Sequence, residues 1–269
     1  MCRLLGVPRS LIYYKAKLGK VDTEAENAVI EEFRNNFSVY GTRKLKKVLS
    51  RRKTPIEISR RKIGKIMKKY GLVSKYVKRR KNGRKQLVNE DSQPNIVKRE
   101  FDDREPFEVV VSDLTYVKVG SKWHYICLLM DLATRGVIGY AAGRNKDAKL
   151  VRKAFLRVEA DLRRIKVFHT DRGSEFKNEV IDGIVTAFGI DRSLSAKGKP
   201  IDNAVAESMY NTLKTEFVFE ESFCDLEDLE LRLFNYVNWY NNIRLHGTLG
   251  YQTPSEYKTK LCRATACHP

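Results

Sequence analysis

Cysteine is scarce and scattered in this chain. Five of 269 residues are Cys (Cys2, Cys127, Cys224, Cys262 and Cys267), an odd number without a CxxC pair. That excludes a disulfide framework and gives no zinc-knuckle spacing. Cys262, Cys267 and His268 lie close together, and a tail of that composition reads as a frayed end rather than a metal site. No stretch approaches the ~18 consecutive apolar residues of a membrane span. The opening MCRLLGVPRS lacks the apolar run of a secretion signal. Internal repeats and low-complexity tracts are missing too. The expectation is a soluble cytoplasmic protein without a membrane partner.

Acidic residues are scarce in one half only. Residues 1–100 hold 28 Lys and Arg against 9 Asp and Glu, whereas residues 101–269 hold 24 of each. The whole formal charge of +19 therefore sits in the first hundred residues. A merely solubilising surface would spread its charge; one basic half points to a polyanion, and nucleic acid is the common one. With 42% hydrophobic and 10% aromatic residues the chain can bury a sizeable core, and its length fits two domains.

Within the basic half, LLGVPRSLIYYK (4–15) reads as a turn at Gly6-Val7-Pro8 and a short helix capped by Ser10, the outline of a partial helix-turn-helix over 1–20. From Glu24 to Leu72 the pattern is helical. Val29, Ile30 and Phe33 form one apolar set, Leu45, Val48 and Leu49 a second, and Ile58, Ile63, Ile66 and Met67 a third. Breaks fall at Tyr40-Gly41 and Thr54-Pro55, with Ser59 placed to cap the third helix. That helix exposes Arg60, Arg61, Lys65, Lys68 and Lys69, a face suited to DNA, although a solvated face would look similar. This predicts a helical DNA-binding domain over 21–73. A basic linker over 74–100 follows. It has seven Lys and Arg within residues 75–85, among them Lys78, Arg79 and Arg80, suited to phosphate contacts without base readout.

After residue 100 the period changes. Residues 107–119, 122–132 and 135–143 are β-rich runs. Then come a helix over about 147–164, a strand KVFHT (166–170), a helix over 178–189, a short strand 190–195 and a helix over about 203–219. The order β-β-β-α-β-α-β-α predicts an α/β core over 101–222 of the ribonuclease-H-like kind, a mixed five-stranded sheet with helices on both faces. A last helix, about 225–241, and a tail make up 223–269 and pack on that core.

Three acids stand where solvation alone does not explain them. Asp113 follows Val109-Val110-Val111 on a strand. Asp171 ends KVFHT, at the carboxyl end of a strand, where open α/β sheets place ligands. Glu207 lies on a helix, with 35 residues between it and Asp171. An Asp at a strand end can be a simple turn-former, and a helical Glu is usually solvated. The company of Glu207 favours more: Asn203, Asn211 and Lys214 extend one polar stripe opposite Val205, Met209, Leu213 and Phe217. Three converging carboxylates would make an oxygen site for hard cations. Two Mg²⁺ ions roughly 3.5–4 Å apart, with Mn²⁺ as a substitute, would clamp the oxygens of an in-line phosphoryl displacement.

At these residues the chain resembles insertion-sequence transposases of the orfB type, whose catalytic core is of the retroviral-integrase, Asp-Asp-Glu kind. SDLTYV (112–117), HTDRGSEF (169–176), SAKGKPIDNAVAESMYNTLKTE (195–216) and YNNIRLHGTLGYQTPSEY (240–257) carry the resemblance in family order. YGTRKLKKVL (40–49) resembles the helical DNA-binding module that precedes such cores, which makes Arg43 and Lys44 candidate contacts. The resemblance implies that Asp113, Asp171 and Glu207 are catalytic and bind the metal, and that Asn211 and Lys214 meet transposon-end DNA. It implies that Arg172-Gly173 shapes the loop of Asp171. For Arg244 and His246 a structural and a functional role both stand. His169 is read as a hydrogen-bonding residue or a ligand, and Asp131 as a supporting residue. Val110 stands where the family often has Trp.

The resemblance further implies a polynucleotidyl transferase that joins one end of its element beside the other, acting on double-stranded DNA as a homo-oligomer associated with the nucleoid. The missing helix before Gly6 raises the expectation of an upstream-frame protein as a frameshift fusion partner. A hydrolysing nuclease and a DNA-binding regulator are the rival readings.

Overall fold

The computed structural model describes residues 23–77, 104–171, 173–194, 204–219 and 221–266. The turn and helix read at 4–15, the contacts Lys78, Arg79 and Arg80, and Arg172 and Asn203 lie outside these. Among the described residues no helix is long and apolar enough to cross a membrane.

Three helices come first: α1 (Thr23–Asn35), α2 (Thr42–Leu49) and α3 (Arg60–Lys69). Each buries the apolar set its period predicts, with Val29, Phe33, Leu45, Leu49, Ile63 and Ile66 inside. Ser59 caps α3 as expected, its Oγ accepting the Lys62 N–H at 3.2 Å. Between α1 and α2 the chain reverses through Phe37 and Ser38, both left-handed at φ 53° and 56°. That costs on the order of 1 kcal/mol for each residue. The turn is held because the Phe37 ring packs 4.7 Å from Trp239 and the Lys75 N–H donates to the Ser38 carbonyl at 3.0 Å.

The second half is the mixed sheet that the sequence order predicts. Strands β1 (Val109–Val119), β2 (Lys122–Asp131), β3 (Val137–Gly143), β4 (Val167–Thr170) and β5 (Asp191–Leu194) lie in the order β3-β2-β1-β4-β5. β1, β2 and β3 are antiparallel neighbours, whereas β4 runs parallel to β1 and β5 parallel to β4. The helices are α4 (Ala148–Phe155), α5 (Glu179–Phe188), α6 (Ala204–Leu213), α7 (Leu226–Asn242) and α8 (Pro254–Ala266). One sheet face, with Val110, Cys127, Leu129 and Phe168, packs against α4 and α5. The other, with Val109, Val111, Ile126 and Leu128, packs against α6 and α7. This is a ribonuclease-H-like fold.

The structure departs from the sequence reading in three places. The helix read over 147–164 stops at Phe155 with Leu156 as its C-cap, although Val158 and Leu162 beyond it still pack on the same core. Asp161 then caps a separate 3₁₀ turn, Leu162–Arg164. Beyond α7 the supposed tail forms α8, whose start is a capping box. The Glu256 N–H donates to Thr253 Oγ1 at 3.1 Å, and the Thr253 N–H donates to Glu256 Oε2 at 2.9 Å. Cys262 lies exposed on α8, while Cys267 and His268 fall outside the described residues.

The third departure is that the helical unit is not a separate bead. Its buried residues and those of the α6/α7 face form a single apolar cluster. Ser74 and Lys75, at the start of the basic stretch, are buried rather than trailing into solvent.

Candidate active site

The parallel ladder between β1 and β4 places the two aspartates. Val109 pairs with Val167 and Val111 with His169, so Asp113 and Asp171 each stand two residues further along, at one register position. Alternation puts Asp113 on the α6 face of the sheet. β4 ends at Thr170 while β1 continues to Val119, so Asp171 follows the carboxyl end of β4 beside the middle of β1, a place where open α/β sheets put ligands.

The two acids sense each other there. Burial first, and then the Asp171 charge, push the Asp113 carboxyl up to about 6. Burial also raises Asp171, opposed by the Gly173 N–H that donates to Asp171 Oδ1 at 3.0 Å and reinforced by the charge of Glu175. Glu175 is only 4% exposed and pairs with Lys146 at 2.8 Å. Lys146 thus supplies positive charge beside both aspartates. At Gly173 an added Cβ would meet the Glu175 carboxylate, the far end of a side chain that would have to swing aside.

Glu207 arrives on the first turn of α6 and is exposed. One turn later Tyr210 is buried, and its hydroxyl donates to the Asp113 carbonyl while accepting the Leu128 N–H at 2.8 Å. The helix of Glu207 is therefore fastened to the strand of Asp113. Among the described residues no group of three His, Cys, Asp or Glu is close enough to share a metal ion. The structure brings Asp113 and Asp171 together and leaves Glu207 at the rim.

Past Leu213 the helix widens into a π turn, Lys214–Val218. The turn carries Glu216, which is fully buried. Arg244 Nη2 and Nε donate to its carboxylate at 2.7 to 3.0 Å, and the Tyr236 and Tyr76 hydroxyls donate at 3.0 and 2.5 Å. Lys75 Nζ donates to the Glu216 carbonyl at 3.0 Å. This knot joins the helical unit to the end of the Glu207 helix.

Sequence comparison matches three family models along the chain. A family model described as an integrase core domain matches residues 103–200, a second of the same description matches 188–254, and an HTH-like domain matches 20–80. The transposase for insertion sequence element IS904 of Lactococcus lactis subsp. lactis (strain IL1403) is 28% identical over 239 residues, covering 88% of this chain and 92% of the relative. Transposase InsF for insertion sequence IS3A of Escherichia coli (strain K12) is 25% identical, covering 97% and 93%. The chain carries an integrase core and is similar to insertion-sequence transposases along nearly its whole length. Among solved structures, the simian T-cell lymphotropic virus intasome in complex with PP2A regulatory subunit B56 gamma has a chain 14% identical to this one. That likeness covers 86% of this chain and 73% of the other, at a TM-score of 0.49. The HTLV-2 integrase catalytic core domain in complex with magnesium is 15% identical, covering 57% and 97%, at 0.45.

The remaining residues of this chain sort by contact. Arg43, Arg60, Arg61, Lys65 and Asn211 are exposed. Lys214 is half-buried, its ammonium 5.2 Å above the Tyr116 ring. Lys44 differs from its expected surface role: its Nζ lies 5.1 Å from the Tyr40 ring centroid, and burial and then the Arg244 charge pull it down to about 8. His169 bonds through Nδ1 to Ser193 Oγ at 2.8 Å. Asp131 accepts from the Phe107 N–H and from Thr134, a structural role. Arg244 is structural in the knot, and His246 beside it is held neutral, down to about 2, by burial and Arg244. Sequence reasoning missed Glu175, Lys146, Tyr210 and Glu216. For Tyr210 the signal was its spacing of one turn from Glu207.

Proposed function

We propose that this protein is a divalent-metal-dependent DNA strand transferase that cuts the ends of its own insertion sequence and joins them to DNA. The observation that carries the reading is the pair of half-buried aspartates, Asp113 on β1 and Asp171 just past the end of the parallel β4, with the helix of Glu207 fastened to the strand of Asp113 through Tyr210. The donor set fits a hard cation: oxygen only and negatively charged, with Asp113 raised by burial and by the charge of Asp171. Asp113, Asp171 and Glu207 would hold two Mg²⁺, with Mn²⁺ as a substitute. Bound there, the metal supplies Lewis-acid polarisation of the scissile phosphodiester and stabilises its leaving oxygen.

The chain's own residues do the rest. Tyr210 holds the Glu207 helix in register with β1. Gly173 and Glu175 shape the turn that presents Asp171, and Lys146 balances its charge. Asn211 and Lys214 face the end of the element. Arg43, Arg60, Arg61 and Lys65, followed by Lys78, Arg79 and Arg80, bind duplex phosphates. The partners are double-stranded DNA, as element ends and as target, and further copies of the same chain assembled on it, in the bacterial cytoplasm.

The test uses a plasmid carrying the parent element with both ends, and PCR across the end-to-end junction. Wild type yields junctions; Asp113→Asn, Asp171→Asn and Glu207→Gln yield none while binding end DNA normally. Junctions that persist in Glu207→Gln overturn the site assignment. End cleavage without junctions makes the protein a nuclease instead.

A further inference from the structure

Beyond the point where β4 leaves β1, the β1–β2 hairpin carries two large aromatic side chains with little cover. Tyr116 is 58% exposed and Trp123 57%. Their ring centroids lie 5.2 Å apart with planes at 90°. Lys118 pairs with Trp123 in the ladder and Tyr116 with Tyr125, so Tyr116, Lys118 and Trp123 share one face and the two rings are diagonal neighbours. Single exposed aromatics are ordinary, but two in contact beside cations form a patch with a chemical character. Lys118 is exposed on the same face. The Lys214 ammonium stands 5.2 Å above the Tyr116 ring, at the end of the helix that carries Glu207. Asp113 lies three residues before Tyr116 on the same strand, on the opposite sheet face by alternation, and Lys214 links the patch to the helix of Glu207.

We propose that Tyr116 and Trp123, rimmed by Lys118 and Lys214, are a stacking platform for unpaired bases of the DNA strand at the active site. The chemistry selects that occupant. Aromatic faces stack on any nucleobase, and ammonium groups beside them meet the phosphates of the same strand. A paired duplex hides its base faces, so this surface favours strands that have left the helix. Holding splayed bases on the β-strand that carries Asp113, at the end of the Glu207 helix, would keep their backbone within reach of the carboxylates. The proposal rests on the strand-transferase reading for why such a strand is there. The surface itself can be tested without any reaction.

The experiment measures binding of the full chain to a duplex ending in a short oligo-dT overhang with one 2-aminopurine, against a blunt duplex of equal length. Tyr116→Ala and Trp123→Ala are expected to weaken overhang binding about tenfold each, within the range of one stacked base. They should also abolish 2-aminopurine quenching and leave blunt-duplex binding unchanged. Trp123→Phe keeps most of the effect. Trp123→Leu, which retains apolar bulk and guards against misfolding of the alanine variant, loses it. Equal losses on both DNAs, or none on either, overturn the proposal, and so does a Leu variant that stacks like wild type. Glu207→Gln binds the overhang normally, so failure of the platform and failure of the catalytic assignment are read separately.

Discussion

The Tyr210 hydroxyl bridges the Asp113 carbonyl and the Leu128 N–H, two backbone groups that face each other across the β1–β2 ladder. One phenol thus sets the depth and rotation of the helix that bears the third carboxylate. Tyr210→Phe removes only that oxygen and leaves two buried backbone groups short of a partner. The expected cost is about 1–2 kcal/mol in urea unfolding. Junction formation should fall at least about tenfold, the effect of a small misplacement in a preorganised site, with end binding unchanged. A variant as active as wild type would show that the bridge positions nothing.

Glu216 and Arg244 make a second prediction. Arg244→Met leaves a carboxylate with no counter-charge in a fully buried position, and the expected loss is about 3–5 kcal/mol. Glu216→Gln with Arg244→Met should recover most of it, because no buried charge is then stranded. Urea denaturation of the two single variants and the double closes the cycle.

The aspartate pair gives a pH dependence in metal-free protein. The folded Asp113 carboxyl is raised from 3.8 to about 6, so its protonated form favours folding. That contribution is complete below pH 4 and is lost as pH rises through 6, by at most about 3 kcal/mol. Asp113→Asn lacks this loss. Its urea midpoint should therefore gain on wild type between pH 4 and 7, and Mg²⁺ at pH 7 should raise the wild-type midpoint alone. Parallel curves would remove the repulsion from the account.

Gly173→Ala tests the turn below Asp171. Its Cβ collides with the Glu175 carboxylate, which must swing away from Lys146. Thermal melting should shift only slightly, since the displaced group is a side-chain end, while junction formation drops. Adding Glu175→Ala removes the collision and should restore part of the activity of the single variant.

Much of this was legible in the sequence, for local reasons. Val109-Val110-Val111 with an acid two residues on, and KVFHT followed directly by an acid, describe strands that carry carboxylates, and β1 and β4 run parallel side by side. Ser59 reads as a cap at sight. What stayed hidden depends on partners far along the chain. Glu216 looks like any helical Glu until Arg244 and Tyr76 close on it. Phe37 and Tyr40 give no sign that their neighbour is Trp239. The capping box Thr253-Pro254-Ser255-Glu256 was a local signal, overshadowed by the Cys and His residues that follow.

Trp239 carries a further consequence. Its indole N–H donates to Asn36 at 3.2 Å, and its ring packs against Phe37 and Tyr40 inside the cluster common to both halves. The HTH-like unit is thus not a cartridge that recombination can swap between mobile elements. A chimera joining it to a foreign core would inherit mismatched aromatic faces and fold poorly unless α7 travelled with it. On the proposed reading, in which α3 meets the DNA, new end specificity is expected from point changes on the outer face of α3, with the joint passed on intact.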